Sequence, residues 1–111
     1  MIQLSLYTNI KLDEWVMSTF CIEYFKAKPG CSEKLQQALL SIAEASREEA
    51  GCLQYDVLLD QKDPDLFILV LQYVSAEAMD QHESLSYVTD FAENQMQQLC
   101  ETFYWHEASS V

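Results

Sequence analysis

The chain has 111 residues, half of them apolar, and carries 18 acidic against 6 basic side chains, for a formal net charge of -12 at pH 7. A chain of this length forms one domain and buries a core without needing disulfides or metals. The charge excludes a surface built for phosphate backbones or anionic lipid, so neither nucleic acid nor membrane is an expected partner.

Residues 1–16 are an N-terminal extension to which the pattern assigns no single structure: Ile2, Leu4 and Leu6 alternate, whereas Lys11 to Val16 suits a helical turn. The opening stretch lacks the basic start and continuous apolar run of a signal peptide, with Asp13-Glu14 interrupting it. No segment approaches the ~20 apolar residues of a membrane span, and the expected compartment is the cytoplasm.

The domain proper takes residues 17–111. A first strand from about Met17 to Ala27 puts Phe20, Ile22 and Tyr24 on one face and Thr19, Cys21, Glu23 and Phe25 on the other. Pro29-Gly30 stops it. Ser32 is the expected N-cap of a helix, with Glu33 in the first turn where the dipole favours negative charge. Leu35, Ala38, Leu39 and Ile42 then recur at helical spacing, carrying the helix to about Ala50. Gly51 is expected to end it in the left-handed region.

The next strand alternates, with Leu53, Tyr55, Val57 and Leu59 on one face and Cys52, Gln54, Asp56 and Asp60 mostly on the other. Lys62-Asp63-Pro64-Asp65 has the residues of a turn. Leu66 to Leu71 is apolar at every position, so both faces of this third strand require cover. Ser75 then caps a short helix reaching about His82, and Ser84-Leu85-Ser86 breaks it. Val88, Phe91, Ala92, Gln95, Met96 and Leu99 form a second apolar stripe over residues 86–99. Thr102-Phe103-Tyr104-Trp105-His106 is a final strand. The order β-α-β-β-α-β is the ferredoxin-like α+β unit with an antiparallel sheet. Its helices cover one face of the sheet, and the simplest cover for the other is a second copy of the chain.

Charge and cysteines narrow the chemistry. After Lys62 there is no Lys or Arg, against nine acidic residues from Asp63 to Glu107, and Arg47 is the one guanidinium in the chain. A strongly anionic substrate is therefore disfavoured. Cys21, Cys31, Cys52 and Cys100 include no CxxC pair, which argues against a zinc or redox motif and for reduced core thiols.

With this element order, Phe25-Lys26-Ala27-Lys28-Pro29-Gly30 at the first strand's end, Arg47-Glu48-Glu49-Ala50-Gly51-Cys52-Leu53-Gln54-Tyr55-Asp56-Val57 after the helix, and Tyr73 nine residues before His82, the stretch from Met17 to Glu107 resembles the antibiotic biosynthesis monooxygenase domain family. The resemblance implies a homodimer whose sheets pack face to face as an α/β barrel. It also implies one of several activities: cofactor-independent oxidation of quinols and polycyclic phenols, isomerisation or cleavage of small metabolites, or haem degradation. Two departures stand out, Leu71 where the family often has Glu and Tyr87 where it often has a second His. Haem degraders of this fold place Trp near the position of His82 and an iron-ligating His about ten residues on, where this chain has Phe91-Ala92-Glu93, so haem is discounted. The lack of basic residues after Lys62 weakens a phosphorylated-metabolite isomerase.

Monooxygenation without a cofactor needs a substrate whose anion is electron-rich enough to reduce oxygen, so the protein supplies a base and a dry pocket. His82 is the candidate base, because an imidazole titrates near neutral pH; the plain alternative is an exposed or helix-capping histidine. Tyr73 is the candidate to orient the phenolate or to donate to the peroxide, against simple packing at a strand end. Tyr55, Tyr87, Phe91 and Trp105 are candidate pocket walls, against ordinary core aromatics. His106 is assigned a structural role, and Cys52 has no neighbouring base in sequence to make it a nucleophile. The expectation is thus a cofactor-independent, metal-free monooxygenase acting on a small aromatic quinol or phenol with molecular oxygen. The alternative is a dimeric module of the same fold that holds an aromatic ligand without chemistry.

Overall fold

A computed structural model describes residues 18–111. The expectations for residues 1–16, and for Met17 as the first strand residue, lie outside the described residues. Four antiparallel strands, β1 (Thr19–Ala27), β2 (Cys52–Leu59), β3 (Leu66–Tyr73) and β4 (Cys100–Ala108), form one sheet in the order β2-β3-β1-β4. Helix α1 (Ser32–Ser46) links β1 to β2. Between β3 and β4 come α2 (Ala76–Glu83), α3 (Ser86–Asp90), a π-helical stretch (Phe91–Gln95) and α4 (Met96–Leu99). This is the ferredoxin-like α+β arrangement. No described helix is long and apolar enough to cross a membrane.

The described helices lie on one side of the sheet. Cys21, Phe25, Tyr55, Phe67, Leu69, Leu71 and Tyr73 project from the strands against Leu35, Leu39, Ile42 and Ala43 of α1, Met79 of α2, and Phe91. The other side carries Phe20, Ile22, Tyr24, Ile68 and Val70, all partly exposed. There Tyr24 and Tyr104 stack with ring centres 4.5 Å apart. The side away from the described helices is therefore apolar and aromatic.

Several local expectations are corrected. Cys31 rather than Ser32 stands at the N-cap of α1 and makes no side-chain cap bond; the Ser32 hydroxyl instead donates to the Asp65 carboxylate, tying the helix to the β2–β3 turn. Helix α1 ends at Ser46 rather than near Ala50, and residues 47–50 continue as turns. Gly30, at φ 80, occupies the left-handed region, and Gly51 does not. What demands glycine at position 51 is space, because a Cβ there would lie 2.8 Å from the Cβ of Ala78.

Strand β2 begins with a bulge. Its register jumps between Cys52, opposite Tyr73, and Gln54, opposite Gln72, leaving Leu53 as the extra residue. Cys52 consequently shares the helix-facing side with Tyr55, while Leu53 and Leu59 are 37 % and 49 % exposed. Arg47 braces the bulge, its Nε and Nη2 donating to the Tyr55 carbonyl at 3.1 and 2.7 Å. In the last helical segment the π-helical turn, where the Met96 N–H bonds the Phe91 carbonyl, adds a residue to the turn and rotates Ala92 out to solvent. All four cysteines are free thiols, and only Cys21 and Cys100 are buried.

The β2–β3 turn follows its sequence. The Asp60 carboxylate accepts from the N–H of Lys62 and Asp63 at 3.0 and 2.9 Å, and Asp63 accepts from that of Asp65 at 2.9 Å.

Candidate active site

The site forms where α1 ends, β3 ends and α2 begins. Tyr73 is the last residue of β3 and has no exposed surface. The Val74 N–H then bonds the Gly51 carbonyl at 2.9 Å, which draws the turn after α1 against the end of β3. Ser75 caps α2, its hydroxyl accepting from the Ala78 N–H at 3.1 Å. Seven residues on from that cap, two helical turns, His82 comes back to the inward face above Met79. It is 3 % exposed, so it is not the exposed histidine of the plain alternative, and it stands in the last turn of α2 with its Nδ1 bonded to groups outside the helix.

Glu49 joins these elements. Its Oε2 lies 2.9 Å from His82 Nδ1, and its Oε1 accepts from the Tyr73 hydroxyl at 3.0 Å. The Tyr73 oxygen is itself 2.8 Å from Nδ1. Tyr87, from α3, donates to Oε2 of the same carboxylate. A carboxylate only accepts, so the nitrogen facing it carries the hydrogen: Nδ1–H donates, and in the neutral imidazole Nε2 is left with the lone pair. Tyr55 closes another side, its ring edge-on to His82 with centres 5.8 Å apart.

The electrostatics keep the hydroxyls protonated. Burial, followed by the charges and hydrogen bonds of Cys52 and Glu49, holds the Tyr73 hydroxyl well above the ordinary tyrosine range. Burial and then the charge of Glu23 do the same for Tyr55. Tyr87 is pushed up to about 12 by burial and by its bond to Glu49. Burial also raises the Cys52 thiol, which removes it as a thiolate nucleophile. The result is a histidine in a fixed tautomer, held by one carboxylate and ringed by neutral phenol donors.

Beside this cluster lies a cleft of about 540 Å³ bordered by Glu49, Gly51, Tyr73, Ala78, His82 and Leu85, with no Lys or Arg in its wall. Among the described residues no three His, Cys, Asp or Glu side chains converge as metal ligands.

The structure thus brings together His82, Tyr73, Tyr55 and Tyr87, of which His82 and Tyr73 border the cleft and Tyr55 and Tyr87, expected as its walls, do not. Phe91 lies behind them, edge-on to Phe25 at 5.8 Å, and borders a separate hollow of about 280 Å³. Trp105 is on β4, 54 % exposed and stacked on Phe103 at 5.4 Å, outside the cleft wall. His106 sits on the opposite side of the sheet, beside Tyr24 and Tyr104. Leu71 is a core residue paired with Tyr55 across the strands. Glu49 is the member that sequence reasoning missed. The available signal was its position: Glu48-Glu49 follow the C-terminal end of a helix, where the dipole disfavours negative charge, so a carboxylate kept there has another use.

Comparison with known proteins adds a family. The model of the family described as antibiotic biosynthesis monooxygenase matches residues 19–94. Among solved structures, a Shewanella oneidensis protein is 27 % identical with a TM-score of 0.82, over 84 % of this chain and 90 % of its own. A Pseudomonas aeruginosa protein is 27 % identical with a TM-score of 0.81, over 87 % and 97 %. A Chloroflexus aurantiacus protein, described provisionally as an antibiotic biosynthesis monooxygenase, is 29 % identical with a TM-score of 0.71, over 85 % and 93 %. No curated protein matches the chain at a significant level.

Proposed function

The chain belongs to the antibiotic biosynthesis monooxygenase family, and from that premise we propose that it is a cofactor-independent monooxygenase that oxidises a small aromatic quinol or phenol with molecular oxygen. The observation that carries this reading is the Glu49–His82–Tyr73 constellation, a buried histidine held through Nδ1 by a carboxylate beside a cleft. His82 Nε2 takes the hydroxyl proton of the substrate, and Glu49 stabilises the imidazolium that results. The phenolate, shielded from water, passes one electron to oxygen, and the radical pair recombines to a carbon–oxygen bond. The hydroperoxide so formed loses water and leaves a carbonyl, so one oxygen atom ends in the quinone and the other in water. Tyr73, a neutral donor next to His82, is placed to hold the phenolate oxygen or the peroxide.

A homodimer joined through the side of the sheet away from the described helices completes the proposal, since that side exposes Ile22, Tyr24, Ile68 and Val70 in part. Four free thiols fit a reducing compartment such as the cytoplasm. The burial of His82 favours this reading over a module that merely holds an aromatic ligand.

The test is oxygen uptake with a panel of reduced quinones and anthrone-like phenols and no added cofactor. Uptake above autoxidation in the wild type, lost in a folded His82→Ala variant, is the expected result. Uptake at the buffer rate for every compound would discard the enzyme in favour of the binding module.

A further inference from the structure

Glu23 is out of character for its position. It sits mid-strand in β1 on the helix-facing side, where its neighbours along the strand, Cys21 and Phe25, are 5 % and 3 % exposed. Its cross-strand partner on β3 is Leu69, 1 % exposed, and on β4 it is Trp105. Such a position ordinarily takes an apolar residue. Among the described residues no Lys or Arg forms an ion pair with Glu23, and its hydrogen-bond partner is the Cys21 thiol, whose Sγ donates to Oε2 at 3.8 Å. The groups facing it are Cys21 on its own strand, Tyr55 from β2 and Glu83 from α2, with Glu107 of β4 beside Cys21. None is cationic. Burial and then the charge of Glu83 push its carboxyl up to about 7, so its acid form persists well above the pH at which an ordinary carboxyl ionises.

Trp105 stands next to it. The two are register partners, so their side chains emerge side by side on one face. Phe103 occupies one face of the indole, and 54 % of the residue remains exposed. Glu23 is linked to the histidine cluster by charge rather than by contact: Tyr55, two strands away and edge-on to His82, feels the Glu23 charge before that of Glu49. A neutral carboxylic acid next to an open indole suits an aromatic ligand bearing an acceptor oxygen and repels an anionic one.

We propose that Glu23 and Trp105 form a ring-carbonyl subsite in which the indole stacks on a quinone ring and the protonated Glu23 carboxyl donates a hydrogen bond to one carbonyl oxygen. This deepens the quinol reading and rests on it, since the quinone is the product of that reaction. Glu23 is then the group that distinguishes ligands with an acceptor oxygen from those without.

The test is direct binding, which needs no turnover. The probe is 2,3-dimethyl-1,4-naphthoquinone, blocked at both carbons that thiols attack, titrated calorimetrically from pH 5.5 to 8.5. Wild type is expected to bind more weakly as pH rises through about 7, as the donor is lost, by roughly three- to tenfold, the worth of one hydrogen bond. Glu23→Gln keeps a donor at every pH and is expected to bind tightly with no pH limb. Glu23→Leu, which suits the apolar surroundings and should fold, is expected to bind weakly and evenly. Trp105→Leu is expected to weaken binding at all pH values. The proposal is overturned by a wild type that does not bind or shows no limb, a Gln variant that keeps the limb, or a Leu variant at either position that binds as tightly as wild type. Absence of oxygen uptake, by contrast, counts against the monooxygenase alone and leaves this binding result to be judged by itself.

Discussion

The hydroxyl of Tyr73 stands 2.8 Å from Nδ1 of His82, and both groups also bond the carboxylate of Glu49. The end of a central strand, the inward face of a two-turn helix and the turn after another helix therefore meet at one carboxylate. Each of the three supplies a different group: a phenol donor, an imidazole, and a carboxylate that fixes the imidazole's tautomer.

In the proposed mechanism Glu49 acts through His82 rather than on substrate, so its loss has a distinct kinetic signature. Glu49→Gln is expected to lower kcat roughly ten- to a hundredfold with little change in KM, because general-base catalysis contributes about 10²–10⁴ and only part of it depends on orientation. The pH–rate profile should also shift, since the imidazolium loses its counter-charge. Steady-state oxygen uptake across pH, compared with His82→Ala, checks this; an unchanged kcat and profile would make the carboxylate merely structural.

The Gly51–Ala78 contact sets how closely the site elements approach. Gly51→Ala puts a Cβ 2.8 Å from that of Ala78, and overpacking of this kind costs about 1–3 kcal/mol. The double variant Gly51→Ala/Ala78→Gly relieves the clash and is expected to recover part of the loss. Urea unfolding of both, read at the midpoint, decides it: a single variant as stable as wild type would show that α2 yields freely.

Glu23 predicts a stability that depends on pH. Its folded value of about 7 lies above the ordinary 4.5, so the folded state holds the proton more tightly than the unfolded state. The contribution is fully present below the ordinary value and is lost as pH rises through about 7. Glu23→Gln removes the titration, so it should gain on wild type between pH 5.5 and pH 8.5 and keep a constant lead above that. Chemical denaturation at the two pH values measures the difference, and parallel curves would contradict the burial argument.

The side of the sheet away from the described helices predicts the assembly. Val70 lies there, paired with Ile22 of β1. Val70→Glu is expected to leave the monomer folded and to shift sedimentation from dimer to monomer, because a charge at an apolar interface is desolvated without a partner. A wild type that sediments as a monomer at micromolar concentration would remove the dimer from the proposal.

How much of this was legible in the sequence varies with the range of the interaction. The order of elements followed from short-range signals: alternation in β1, the unbroken apolar run of β3, Ser75 ahead of α2, the Asp60 to Asp65 turn. His82 and Tyr73, with Tyr55, Tyr87, Phe91 and Trp105, stand out as candidates in the sequence because a base, phenol donors and aromatic walls suit the chemistry of the resembling family; which of them meet is not legible there. Local pattern failed where one residue changes the phase of everything after it. The bulge at Leu53 carries Cys52 to the helix side, and the π-helical turn carries Ala92 out of the apolar stripe; neither irregularity has a composition of its own.

By itself, the sequence determined the ferredoxin-like order, the acidic character and the family, because propensity, periodicity and charge act over a few residues or over none. The tertiary structure alone decided that Glu49 is the hub of the site, that Gly51 is needed for closeness rather than for its φ, and that Trp105 stands beside Glu23 instead of in the cleft. Those facts depend on which residues, distant in the chain, share a few ångströms of space, and strand register and helix placement fix that.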